Sequence, residues 1–394
     1  MWRFSKALTL ILALAGPARA QEVVITFGGD VNFARSREAP LPDAVRKFWT
    51  VPLPEVTADI AAEWNGDINF INVETVVSAR DGAVQGKTFV FRSHPDSFRH
   101  LMDLGVNAFA LANNHAYDHG WQGMTDTLAF FEGEDRADRP LLFAGVGRGD
   151  AAFAPKIITA NGLRIALSAA SFGSGSFSPS GGQVGMAYLS IPSQYNAVLR
   201  GLRDADADIR ILSLHYGTEN MIQLNAGQEA LFRRGLEEAG VNLVLGHHPH
   251  VVRPVEAEPE LGRAVFYSLG NFLFIGGAEK DSAPLGLDYG LMGRAYFNVA
   301  GGKVRLSALE ALPLRGVHHI PVRMTPDRAA RTLDHLNRLS QSQVGGRAVS
   351  FSPAHPQAQH GLACFAPPFG PRAAVACCAR STGPNVYCDL PDLM

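Results

Sequence analysis

The chain is 394 residues long, 46% hydrophobic and 18% charged, enough for one large α/β domain or two smaller ones. Its 35 basic and 37 acidic residues leave a formal net charge of -2, which excludes the basic excess of a nucleic-acid binder. The apolar fraction equally excludes an intrinsically disordered chain.

Residues 1–20 read as a secretory signal peptide. Met1 to Lys6 is a short basic start, Ala7 to Gly16 is apolar, and Ala18-Arg19-Ala20 gives the small-residue cleavage pattern. The apolar stretch is too short to span a bilayer comfortably, and no cysteine follows Ala20 for lipid attachment. The expectation is an exported protein, periplasmic or extracellular. Residues 21–320 form the main domain in this reading, 321–344 a C-terminal helix and 345–394 a cysteine-containing tail.

The predicted elements follow in order. Val23 to Phe27 is a strand running into Gly28-Gly29-Asp30, and Asp67 to Val73 is a second, ending at Glu74. His94-Pro95 opens a helix stopped by Gly105. Ala108 to Ala112 is a buried strand ending at Asn113-Asn114-His115. A helix over Trp121 to Phe131 and a short strand over Leu141 to Ala144 come next. Asn161-Gly162 between Lys156 to Ala160 and Leu163 to Leu167 is a hairpin signature. Phe172 to Gly185, rich in Gly and Ser, reads as a mobile surface loop. Ile209 to Ser213 is a strand that ends at His215. Asn225 caps the following helix with Gln228 as its capping-box partner; Leu231, Phe232, Gly235, Leu236 and Ala239 form the inward stripe, and Gly240 stops it.

Val241 to Leu245 is an apolar run without polar alternation, as expected for a strand of a buried parallel sheet. It ends at Gly246, and His247, His248 and His250 follow around the rigid Pro249. Ala264 to Leu269 is another strand, ending at Gly270-Asn271. Tyr289 to Leu314 reads as an antiparallel pair around Gly301-Gly302, and Thr325-Pro326 starts a helix running to about Ser342.

Five strands therefore end in polar clusters. They are Asp30 with Asn32, Asn72 with Glu74, Asn113 to His115, His215 with Glu219, and His247 to His250. In an open α/β sheet such ends converge on one ligand-binding edge. Carboxylates, an amide and imidazoles without cysteine suit one or two divalent ions of manganese, zinc or iron better than calcium.

The ordered series Gly29-Asp30, Asn72-Val73-Glu74, residues 111–120, residues 215–219, residues 246–251 and residues 267–272 resembles the CapA family of capsule and poly-γ-glutamate biosynthesis proteins. That family is itself similar in fold to calcineurin-like metallophosphoesterases. The likeness covers about Val23 to Leu314. It implies a four-layer α/β/β/α sandwich with a metal site at one edge of paired sheets. It also implies metal ligation by Asp30, a bridging role for Glu74, an amide ligand in Asn114, and further ligands in His215, His248 and His250, with His247 as the alternate. Asn32 stands where the phosphoesterase pattern has a histidine. His115 matches the catalytic histidine that protonates a leaving group.

Asp118 and Glu219 would orient ligand histidines. Asn271 reads equally as a site-rim residue and as a turn stabiliser. Arg92 and Arg253 are weak candidates for binding an anionic substrate. Two functions stay open. One is a metal-dependent hydrolase acting on a phosphoester or a cell-envelope polymer, with His115 as general acid. The other is a non-catalytic factor that binds or exports an anionic polymer beside membrane-bound capsule-synthesis partners.

All four cysteines, Cys364, Cys377, Cys378 and Cys388, lie near the end of the chain. Two disulfides are expected, and the strained Cys377–Cys378 bridge is set aside, leaving two pairings. No cysteine precedes residue 364, so the tail reads as dispensable: truncation near Gly345 should leave a cooperatively melting domain.

Overall fold

The computed structural model describes residues 21–33, 51–80, 82, 87–275, 282–367 and 369–378. The signal-peptide expectation and Cys388 lie outside the described residues.

Strand β1 (Gln21–Asn32) is the axis of the first sheet, and every residue of it after Gln21 is buried. Its two faces contribute to different clusters: Val23, Ile25 and Phe27 to the central core, Val24 to a smaller outer one. A strand buried on both sides needs no polar alternation. Strand β2 (Ile68–Val73) runs parallel to β1, with Phe27 opposite Phe70. Helix α1 (Pro95–Asp103) is capped by His94, which accepts the Asp96 N–H at 3.3 Å. Next come β3 (Ala108–Ala110), α2 (Gly120–Glu134) and β4 (Leu142–Ala144); β3 and β4 extend the parallel run from β2. Phe109 of β3 meets Phe131 of α2 at 4.7 Å between ring centroids, so α2 covers this part of the sheet.

The second sheet begins at a hairpin. β5 (Lys156–Ala160) turns into β6 (Leu163–Ser171) through Asn161 and Gly162, at φ 49° and 77°. Positive φ at both positions is what the Asn-Gly pair supplies. Helix α3 (Pro192–Asp204), β7 (Ile209–His215), α4 (Ala226–Ala239), β8 (Leu243–His247), β9 (Val255–Glu258) and β10 (Arg263–Phe266) complete the unit. The spatial order is β9-β10-β8-β7-β6-β5, parallel from β10 to β6 and antiparallel at both edges. Alternation along β7 and β8 assigns the layers. Ile211, Leu243 and Leu245 face the first sheet, whereas Leu212, Leu214 and Val244 pack on Tyr195, Val198, Phe232 and Leu236 of α3 and α4. Phe27 and Phe266 close the gap between the sheets at 4.8 Å. The result is a four-layer α/β/β/α sandwich.

The chain then returns to the first sheet. β11 (Asn271–Phe274) pairs with β1 in parallel, Asp30 opposite Asn271. β12 (Gly290–Ala300) and β13 (Lys303–Arg315) form the expected antiparallel pair, with β12 against β1. Asn271 thus begins a strand rather than ending one. Residues 267–270 carry the backbone across, and the Asp30 N–H donates to the Gly270 carbonyl at 3.0 Å. A Cβ on Gly29 would collide with that carbonyl, which explains a glycine inside a buried strand.

Three local expectations change. The segment from Phe172 to Gly185 is anchored: Phe177 stacks on Tyr117 at 4.6 Å, and Val184–Met186 pairs with Val146–Arg148. Asn225 does cap α4, accepting the Gln228 N–H at 2.7 Å. The Gln228 side chain does not close the box, however, because its Nε2 donates to the carbonyls of Tyr216 and Tyr267. The residues after Gly345 are also not an appended tail. β14 (Gly361–Cys364) pairs with β13, and α6 (Pro371–Cys378), which follows α5 (Pro326–Val344), packs on Val24, Tyr296 and Ala308. Cys364 bonds Cys377, and Cys378 is also disulfide-bonded.

Candidate metal centre

The site forms where the parallel strands of both sheets end. Asp30 lies near the end of β1, Glu74 just past β2, and Asn114 with His115 beyond β3. His215 closes β7, His247 closes β8, and His248 and His250 follow it. Within the Asn113-Asn114 pair the roles divide. Asn113 is the structural corner, its amide donating to the Val73 carbonyl at 2.6 Å and accepting the His115 N–H at 3.1 Å. That leaves Asn114 Oδ1 against His215 Nε2 at 2.7 Å. The histidine turn is strained, with His248 at φ 94° and His250 at φ 56°. Such conformations cost on the order of 1–3 kcal/mol each and concentrate at functional sites.

Asp30 accepts from Asn72 Nδ2 at 2.8 Å and contacts His247 Nδ1 at 3.0 Å, and the His248 N–H reaches its other oxygen at 3.3 Å. Burial would raise its pKa, but the His247 hydrogen bond and the neighbouring imidazoles outweigh it and hold Asp30 below the usual range. Glu74 behaves oppositely: burial first, then the Asp30 charge, push it well above the usual range. Burial and the adjacent His248 hold His215 well below the ordinary histidine range, and burial with His250 beside it brings His248 down to about 3. His215 and His248 are therefore neutral at physiological pH, the form that ligates metal.

Among the described residues, two groups could hold an ion. One is Asp30, Glu74 and His215; the other is Glu74, His248 and His250. Within each, the donor atoms lie within 4.8 Å of one another, and Glu74 belongs to both. Both Glu74 oxygens and His248 Nδ1 are fully buried without a hydrogen-bond partner. Three imidazole nitrogens lie near Glu74 Oε1: His215 Nε2 at 3.5 Å, His250 Nε2 at 3.7 Å and His115 Nε2 at 4.0 Å. A buried carboxylate ringed by imidazoles and without a hydrogen-bond partner is expensive unless a cation sits between them. The residues present fit a divalent metal.

The remaining sequence candidates separate in space. His247 supports Asp30, with its ring on Phe70 at 5.8 Å, and it is in neither ligand group. Asn32 is buried at the end of β1, its carbonyl accepting from Ile275. Glu219 stands at the rim, more than half exposed, 3.9 Å from His248 Nε2. Asp118 holds His115 Nδ1 at 2.6 Å and is itself held by Lys87 and the Phe91 N–H. Asn271 is buried and meets His250 Nδ1 at 2.8 Å.

Both arginines are engaged within the protein. Arg92 donates to the Ser78 carbonyl at 3.1 Å. Arg253 is completely buried, and burial brings its pKa down to about 10. Its guanidinium donates to the carbonyls of Met221 and Thr218 and to Gln228, clamping the loop after His215. Replacing Arg253 with alanine strands those carbonyls. The expected loss is about 3 kcal/mol of stability, read as a lower urea midpoint with an unchanged slope.

Residues that sequence reasoning missed are Lys87, His318 and the aromatic lining. Phe91 lies 4.2 Å from the His115 ring, Phe172 4.5 Å from His248, and Phe274 5.2 Å from His250. His318 carried a signal. β13 runs in the direction of β1, so the Gly316–Ile320 turn beyond it returns to the same edge of the sheet.

Residues 24–275 match the model of a family described as bacterial capsule synthesis protein PGA_cap. The chain belongs to that family. A PGA biosynthesis protein CapA from Bacillus subtilis is 32% identical over 202 residues, 50% of this chain and 50% of that protein. The match therefore spans only half the length of that relative. A probable polyglutamine synthesis accessory protein from Mycobacterium tuberculosis is 30% identical over 303 residues, 72% of this chain and 73% of that one. Among solved structures, the calcineurin-like phosphoesterase YfkN from Bacillus subtilis aligns with a TM-score of 0.42 at 13% identity, covering 82% of this chain and 98% of that one.

Proposed function

We propose that this member of the PGA_cap family is an exported, divalent-metal-dependent hydrolase of capsule-type polymer metabolism. Its substrate would be a phosphoester or a γ-glutamyl amide in an anionic cell-envelope polymer or its precursor. The observation that carries the reading is Glu74, shared by two ligand groups with both oxygens buried and unpaired, beside a histidine that belongs to neither group. The names of the relatives support a polymer-related role. The charged, apolar and small-residue order of residues 1–20, together with the Cys364–Cys377 bridge, supports an oxidising compartment outside the cytoplasm.

Asp30, Glu74, Asn114, His215, His248 and His250 would hold the metal. A divalent ion supplies Lewis-acid polarisation of a carbonyl or phosphoryl oxygen when bound. The chain supplies the proton handling. Asp118, held by Lys87 and the Phe91 N–H, accepts from His115 Nδ1–H, which leaves the Nε2 lone pair on the side of Glu74. His115 would thus take at Nε2 the proton released by the attacking water and then give it to the leaving group. Phe91, Phe172 and Phe274 keep bulk water away from the imidazoles and strengthen the field inside.

The accessory reading, polymer binding without turnover, draws on the name of the mycobacterial relative. It gains nothing from Lys87 and Arg253, whose charges are spent inside the protein. The test uses full-length protein purified without chelator, its metal content, and a screen of phosphoesters and γ-glutamyl amides. His115→Ala should lower turnover ~100- to 10,000-fold with metal content unchanged. Metal without turnover on either class supports the accessory reading. Sub-stoichiometric metal even after reconstitution overturns the metal centre.

A further inference from the structure

His250 is one of two ligands contributed by the strained turn after β8, and a histidine ligates only through a nitrogen that carries no proton. Which nitrogen is bare depends on what the other one meets. His250 Nδ1 lies 2.8 Å from Asn271 Oδ1, and Asn271 Nδ2 lies 2.7 Å from His318 Nε2. Asn271 and His318 are 3% and 2% exposed, so solvent does not substitute for either partner. An amide has one acceptor end and one donor end. With Nδ2 donating to His318 Nε2, Oδ1 is left to accept His250 Nδ1–H. His250 Nε2 is then bare, and it is the nitrogen 3.7 Å from the shared carboxylate of Glu74. With the amide turned over, His250 would carry its proton on Nε2, against Glu74, and could not ligate.

We propose that His318 is a positioning residue that sets the tautomer of His250 through Asn271, so that Nε2 is ready to ligate. The inference rests on the metal reading above only for its consequence; the relay itself exists without the ion. Three strands build it: His250 follows β8 of the second sheet, Asn271 opens β11, and His318 follows β13 of the first. The relay therefore ties the two sheets together at the site edge. It acts on one ligand group only, because His215 takes its partners from Asn72 and Asn114.

The test has two arms on full-length protein. In chelator, long-range 1H–15N spectra report the His250 tautomer directly. Wild type should show the proton on Nδ1, His318→Ala a mixture of tautomers, and His318→Gln, whose carbonyl can accept from Asn271, the wild-type pattern. In the second arm, Mn2+ and Co2+ are titrated by calorimetry and by Co2+ visible absorption. His318→Ala should weaken one binding event ~10- to 100-fold and alter the Co2+ spectrum, with His318→Gln recovering most of the loss. An unchanged tautomer in His318→Ala overturns the relay, whatever the metal result. Unchanged Mn2+ and Co2+ affinity despite a changed tautomer overturns the role in ligation. Wild type with a fixed Nδ1–H tautomer and no metal uptake overturns the metal centre but leaves the relay standing. A melting temperature that falls in both variants alike, with the tautomer unmoved, marks His318 as a packing residue.

Discussion

A chain ending at Gly345 will express without a cooperative melting transition, although the cysteine positions alone predict a dispensable tail. β14 hydrogen-bonds to β13 across Ala308 to Ala311. Removing it bares that edge of the main sheet. α6 covers Val24, Tyr296 and Ala308 on the outer face. The Glu22 carboxylate accepts the N–H groups of Arg372 and Ala373 at 2.9 Å each, and the Arg372 guanidinium joins Glu22 to Asp67. Both acids would be left partly buried without that partner. Val349, Phe351 and Leu362 are each nearly fully buried, and burying such a side chain contributes about 1.5–3 kcal/mol. Their sum with the lost ion pairs approaches the whole stability of a typical domain, roughly 5–15 kcal/mol. Thermal denaturation followed by circular dichroism decides the matter. The full chain carrying Cys364→Ala and Cys377→Ala is the contrast. It should lose about 3 kcal/mol from a bridge of this loop length and still melt cooperatively. A sharp transition in the truncated protein would show that the main sheet stands without β14 and α6.

Glu74→Gln will stabilise the metal-free protein and abolish its response to metal. Both Glu74 oxygens are buried without donors, and burial with Asp30 raises its pKa well above the usual range, so the carboxylate opposes folding in the absence of a cation. The sign follows from linkage. A raised folded-state pKa favours folding less and less as pH climbs from the unfolded value toward the folded one. Glutamine keeps the volume and removes that penalty. It also takes away the charge that both ligand groups share. At metal concentrations 100 times the dissociation constant, wild type should gain about 2.7 kcal/mol, seen as a rise in melting temperature, and Glu74→Gln should gain nothing. The two measurements move in opposite directions, and a simple packing defect cannot produce that. A Glu74→Gln protein that melts lower in chelator and still responds to metal would assign the charge elsewhere.

Much of the fold is legible in the residues because its signals are local. Asn161-Gly162 specifies a hairpin whatever lies around it, Asn225 caps α4, and Gly105 and Gly240 end helices where a positive φ is needed. Strand ends marked by Asp30, Glu74, His215 and His247 are equally local, since an apolar run that stops at a polar group can be seen in a window of ten residues. Long-range pairing left weaker traces. Asn271 reads as the end of the preceding strand, yet residues 271–274 belong to the other sheet, because the backbone crosses between sheets at Gly270 and pairs with β1. The partner of a strand depends on which faces remain to be buried once the rest has packed. Arg253 shows the same limit at one side chain. Its number of donors suits an anion or a set of carbonyls equally, and only burial beside Thr218 and Met221 decides.

What the sequence by itself determined was the ligand chemistry and the edge on which it gathers. Carboxylates, an amide and neutral imidazoles at the ends of buried parallel strands can converge nowhere else, because successive parallel strands share one direction. What only the tertiary structure decided was the division of labour among those residues. Glu74 became the shared carboxylate, His247 a support for Asp30, Lys87 a partner of the Asp118 that holds His115, and His318 the far end of a relay to His250. Those roles are set by contacts such as the 3.0 Å between His247 Nδ1 and Asp30, residues 217 positions apart in the chain. Hydrogen bonds and ion contacts discriminate at that scale, and sequence spacing does not.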